Sequence, residues 1–162
     1  MPEERDNVFR LTVVPVFVDN DQVLIAERRA VPNKLHAWGT GFLGRDLTGP
    51  QTPVQVIEAV ARELGYDTIP KCTFVASHHE RRERPKSKPP YTEFICTVCY
   101  LVTLPSTRGR PLTPTSDIAK IEWVPRQAVY DRLSYEARFW LPFELEEYLR
   151  FGVIGKPAPT GV

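Results

Sequence analysis

No stretch of this sequence reaches the roughly 18 consecutive apolar residues needed to span a bilayer, so no membrane helix is expected. Charge of one sign is also missing. Twenty-one Lys and Arg stand against 20 Asp and Glu, a formal net charge of +1, and such a chain has no overall field to recruit nucleic acid or an anionic membrane. Cysteine is scarce: Cys72, Cys96 and Cys99 are an odd number in a chain long enough to need no disulfide staple. Cys96 and Cys99 spell C-x-x-C, but within FICTVCYLV a two-residue period sends them to opposite faces of a strand, which favours buried thiols over a metal or redox pair. The opening MPEERDNVFRLTVV is acidic where a secretory signal is basic. There is no G-x-S-x-G elbow, no P-loop and no H-E-x-x-H. These absences point to a soluble, cytoplasmic protein without a membrane partner.

What is present begins with proline. Sixteen prolines punctuate 162 residues, and PKSKPP at 85–90, the stretch 105–114 and the closing KPAPTGV read as loops or tail. The length suits one domain, expected over 1–155, with a disordered tail over 156–162. Branched apolar residues mark strands at 8–19 and 22–29, joined by Asp-Asn-Asp as a hairpin, with Pro15 at a bulge or edge. Further strands are expected at 72–78, 91–104 and 118–124. Between 52 and 64 the period changes: Val54, Ile57, Val60, Ala61 and Leu64 form one stripe of a helix. Thr52 and Gln55 supply a capping box, Pro53 the first helical position and Gly65 the stop, after a glycine-containing loop over 39–49. A second helix is expected over 142–151, with Leu141, Leu145, Tyr148 and Leu149 inward and Gly152 as its stop. A short helical turn follows Pro125. The result is an α/β arrangement with a mixed sheet.

That order of elements resembles the Nudix (MutT-like) hydrolase family, and the resemblance covers most of the chain. The family signature laid on GRDLTGPQTPVQVIEAVARELGY places its glycines on Gly44 and Gly65, its apolar positions on Val60 and Tyr66, and its last glutamate on Glu63. Gly49, Trp38, the Arg28-Arg29 pair and IEWVPRQAV at 121–129 fit the family habit as well. The resemblance implies a Nudix-like α/β/α sandwich with a mixed β-sheet. It also implies a pocket for a nucleotide-like ligand, bordered by Arg28, Trp38, Gly44, Arg62 and Glu93. The chemical positions differ: Pro50, Glu58-Ala59 and Arg62 stand where the family has carboxylates or Arg-Glu, and Glu63 alone remains of four signature carboxylates.

Pyrophosphate hydrolysis needs Mg²⁺ or Mn²⁺ held by several oxygen ligands. On the helix, positions 59, 62 and 63 share a face and read Ala, Arg, Glu. Arg62 is either the partner of Glu58 in an i, i+4 pair or a direct anion contact. Three functions therefore remain open. The first is a binder of a nucleotide-like or phosphorylated ligand with a degenerate box and little or no hydrolysis. The second is an active Mg²⁺- or Mn²⁺-dependent hydrolase using Glu63 and Glu58 as catalytic residues, Glu63 as metal ligand, and recruits from Glu93 or the Glu80–Glu83 stretch. The third is a scaffold for a protein or RNA partner, with RNA met through the basic 80–88 loop and Tyr91. A homodimer is left open. His78 and His79 point to opposite faces as strand neighbours, and His36 reads as a packed loop residue.

Overall fold

The computed structural model describes residues 6–28, 39–66, 71–104 and 118–154. A seven-stranded mixed sheet runs β1 (Asp6–Asp19), β2 (Gln22–Arg28), β3 (Gly39–Gly41), β4 (Arg45–Asp46), β5 (Lys71–Arg84), β6 (Tyr91–Thr103) and β7 (Ile118–Pro125) in chain order. Its spatial order is β3-β2-β1-β6-β5, with β4 on β1 and β7 on β2. β1 and β6 pair in parallel, from Asp6 beside Tyr91 to Val18 beside Thr103; the other ladders are antiparallel. The β1–β2 hairpin turns on Asn20 (φ 51°) and Asp21 (φ 65°), a positive-φ pair that Asn and Asp tolerate better than most residues.

Pro15 lies between the β4 pairing at Thr12–Val13 and the β2 pairing at Val18–Asp19. One side of β1 changes partner there, so a residue without an N–H is accommodated, and the expected edge is a local one.

Helix α1 (Pro53–Glu63) has the expected capping box: Thr52 N donates to Gln55 Oε1 at 2.9 Å and Gln55 N to Thr52 Oγ1 at 3.3 Å. Its buried stripe is Val56, Ile57, Val60, Ala61 and Leu64, whereas Val54 is exposed. At 100° per residue Val54 falls roughly 90° from the centre of that stripe, and Val56 replaces it. This helix covers one face of the sheet, against Val13, Phe17, Leu24 and Val102. Helices α2 (Arg126–Arg132), α3 (Tyr135–Trp140) and α4 (Phe143–Phe151) cover the other, where Val129, Leu133, Ala137, Leu145 and Leu149 meet Val14, Val16, Ile25 and Cys99. The architecture is the α/β/α sandwich that the sequence resemblance implies. Cys96 and Cys99 do fall on opposite faces, and Cys99 is fully buried.

Two expectations are corrected and one element is added. β5 extends to Arg84, so HHERRER continues a strand instead of opening a loop, and only 85–90 turns. Its alternating side chains keep pairing with β6 as far as Tyr91. The 39–49 segment contains β3 and β4, short pieces that pair with β2 and β1. Helix α3 was not read from the sequence: six residues are too few for a periodic signal, and Ser134 caps it through Ala137 N at 3.3 Å. The 105–114 loop and the 156–162 tail lie outside the described residues.

Candidate functional site

The signature-like residues converge where α1 ends beside β4. Arg45, in register with Val13 of β1, directs its guanidinium onto Glu63 in the last turn of α1, both Glu63 oxygens accepting. Arg28, at the end of β2, donates from Nη2 to the Gly44 carbonyl at 3.0 Å. Arg62 stands out from the helix with 71% of its side chain exposed, and it pairs with Glu58 at 4.0 Å. Ala59 offers no ligand atom. This end of the helix therefore presents three guanidinium groups against two carboxylates.

A hard divalent cation requires a surplus of negative oxygen donors. Here the Glu63 carboxylate is paired with the Arg45 guanidinium, and two carboxylates among three arginines do not supply that surplus, so the donor set does not fit Mg²⁺ or Mn²⁺. Among the described residues, no group of three or more His, Cys, Asp or Glu side chains is placed to hold a metal ion. The exposed Arg62 guanidinium instead suits a phosphate, which a guanidinium binds through paired hydrogen bonds.

A second charged network crosses β4, β1, β6 and β5 on the opposite face of the sheet. Asp46 accepts from Arg10 Nε and Thr12 Oγ1, each at 2.9 Å. Arg10 reaches on to Glu93 at 3.4 Å, and Arg84 donates to the same carboxylate from Nε at 3.2 Å and Nη2 at 3.1 Å. The hydrogen bond to Asp46 is the main reason the Arg10 guanidinium titrates above its ordinary range. Glu93, a candidate cleft residue, is buried and held by these two arginines.

The basic run of β5 is paired as well, Arg82 with Glu80 at 2.6 Å and Arg81 with Glu83 at 2.8 Å. The structure thus brings together Arg28, Gly44, Glu58, Arg62 and Glu63, and separates Glu93 from them by the thickness of the sheet. Trp38 and His36 lie outside the described residues. Arg45, Arg10 and Arg84 were missed from sequence. Arg45 follows Gly44 directly, and the alternation of β1 already sets Arg10 and Thr12 on one face, so both signals were there to be used.

No protein-family model matches the sequence, and no curated protein matches it. Solved structures do. The E. coli dihydroneopterin triphosphate pyrophosphohydrolase superposes with a TM-score of 0.61 at 16% identity, over 88% of this chain and 97% of that one. The MutT protein of Methanosarcina mazei Go1 gives 0.59 at 11% identity, over 83% and 92%. The Nudix domain of Shewanella oneidensis NrtR, complexed with ADP ribose, gives 0.53 at 12% identity, over 83% and 84%. At these identities the likeness is one of architecture: the chain has the Nudix fold.

Proposed function

We propose that this chain is a Nudix-fold protein that binds a phosphorylated, nucleotide-like small molecule and has lost metal-dependent hydrolysis. The observation that carries the reading is the Arg45 guanidinium seated on Glu63. A hydrolytic site needs that carboxylate for a cation, whereas here it positions an arginine. Arg62, exposed one residue away, supplies the free donors for an anion, and Arg28 fixes the Gly44 backbone beneath them. The ADP ribose held by the Shewanella domain gives the ligand class to try first.

Calorimetric titration with ADP ribose in excess EDTA tests the proposal. Binding without metal is expected, weakened by about 10- to 150-fold in Arg62→Ala, from the ~1.5–3 kcal/mol of a hydrogen bond to a charged group. Incubation with Mg²⁺ or Mn²⁺ is expected to leave ADP ribose and nucleoside triphosphates intact. Metal-dependent turnover that disappears in Glu63→Gln would establish a hydrolase with rearranged ligands instead. Absence of binding in every condition would leave the fold as a scaffold.

A further inference from the structure

Helices α3 and α4 have a second apolar face that the sheet does not use. Ala137 turns inward from α3, and Leu145 and Leu149 from α4. Tyr135, Phe139, Phe143 and Phe151 follow one another at intervals of four, four and eight residues, the spacing that lines one side of a helix. At 100° per residue, Phe143 and Phe151 each fall about 140° from the middle of the Leu145–Leu149 stripe, so they look outward. The four rings are 82%, 74%, 72% and 71% exposed. Only Leu141 and Pro142 separate the two helices, and the row runs on from one to the other. Aromatic side chains bury 150–250 Å² each when covered, so at these exposures the row offers roughly 450–750 Å² of apolar surface. A monomer's largest patch is ordinarily about 300–600 Å². Each partner in a standard protein interface contributes about 800 Å².

The charges along the row select the occupant. On α3, Arg138 donates from Nε to the Tyr130 carbonyl and from Nη2 to the Asp131 carbonyl, each at 3.0 Å, and its Nη1 has no partner among the described residues. On α4, Glu147 stands midway between Phe143 and Phe151 and has no ion pair among the described residues, whereas Glu146 beside it is paired with Arg150 at 2.9 Å. One helix thus carries the spare donor and the other the spare acceptor. A surface of that kind is complementary to itself. We propose that a second copy of this chain docks on the row about a twofold axis at Phe143, with α3 of each copy along α4 of the other. Phe143 then meets Phe143 of the other copy, Tyr135 opposes Phe151, and Arg138 comes opposite Glu147, twice. Nothing in this arrangement uses a ligand or the arginines at the end of α1, so it goes beyond the function proposed above and fails separately from it.

Sedimentation equilibrium of the full chain, in reductant so that no disulfide contributes, tests the proposal. The average mass is expected to rise with concentration from 18.5 kDa toward twice that value. Phe143→Ala should weaken the association by more than about 10-fold, since each copy loses a ring whose burial is worth ~1.5–3 kcal/mol. Because Phe143 is exposed in the single chain, its truncation should leave the unfolding midpoint in place. Glu147→Arg should also weaken the dimer by setting two arginines face to face, and adding Arg138→Glu to it should restore the affinity. A single-chain mass at every concentration up to millimolar would overturn the proposal, and binding of that monomer to phosphatidylcholine vesicles would give the row to a membrane surface instead. A dimer indifferent to Phe143→Ala would place the interface elsewhere. A double variant no tighter than Glu147→Arg alone, with its unfolding midpoint unchanged, would overturn the twofold arrangement.

Discussion

A three-residue change should turn the proposed anion site at the end of α1 into a cation site. Ala59→Glu and Arg62→Glu place carboxylates on the helix face, yet they leave Glu63 under the Arg45 guanidinium. Arg45→Met is therefore the necessary third change. Relative to the parent, the triple variant shifts the local charge by four units toward negative. At ~5 Å in a water-like dielectric, each unit of charge is worth about 1.5 kcal/mol to a dication. Salt screening and repulsion among four glutamates remove much of that, the helical like-charge pairs alone costing ~0.2–0.5 kcal/mol each. If a third survives, about 2 kcal/mol, Mn²⁺ affinity rises roughly 30-fold. The loss of the Arg45–Glu63 pair itself costs little stability, about 1 kcal/mol or less, since both side chains reach water, at 34% and 42% exposure. Calorimetry with Mn²⁺ on the parent, the Ala59→Glu/Arg62→Glu double variant and the triple variant reads the outcome. The triple should bind distinctly tighter than the double. Equal affinity in the two would show that Arg45 does not block Glu63, and no gain in either would show that the backbone lacks the geometry of a metal site.

Gly152→Ala should destabilise by about 2–4 kcal/mol in urea unfolding. Gly152 caps α4 at φ +77°, and a Cβ there would lie 3.0 Å from the Arg126 guanidinium carbon, displacing a buried arginine from Asp21 and from the Leu149 carbonyl. Glu93→Ala should cost about 1–3 kcal/mol, less than a fully buried ion pair because Arg10 and Arg84 reach water once released. An unchanged unfolding midpoint would refute either argument. Burial pushes the Cys99 thiol up to about 12. A folded-state value above the unfolded one contributes stability that is complete below pH 9 and is lost as the pH rises from there toward 12. Chemical unfolding across that window should show a decline that is shallower in Cys99→Ala; identical slopes would contradict it.

The sequence carried the sandwich because its strongest signals were periodic. The capping box at Thr52 and Gln55, the stripe through Ile57, Val60 and Leu64, and the hairpin turn after Asp19 are all local and all appear. The end of β5 was illegible for a physical reason: HHERRER has the composition of a solvated loop, and only the neighbouring β6, together with ion pairs to Glu80, Glu83 and Glu93, makes it a strand. The site divided along the same line. Arg62 and Glu63 could be placed together from helical spacing, whereas the Arg45–Glu63 and Arg10–Glu93 contacts join residues 18 and 83 positions apart and required the sheet.

The placement of the thiols also decides how this protein can respond to oxidation. Along a strand, Cys96 and Cys99 are about 10 Å apart, beyond the roughly 7 Å between Cα atoms that a disulfide tolerates. Cys72 sits opposite Val102, six residues further along β6 than Cys96, or about 20 Å away. No two of the three can join within one folded chain. A protein–protein disulfide can therefore form only between molecules, through the partly exposed Cys72 and Cys96, while Cys99 stays sealed in the core. Covalent cross-linking between copies would thus leave the fold of each intact, and a reductant would return it to single chains without any refolding.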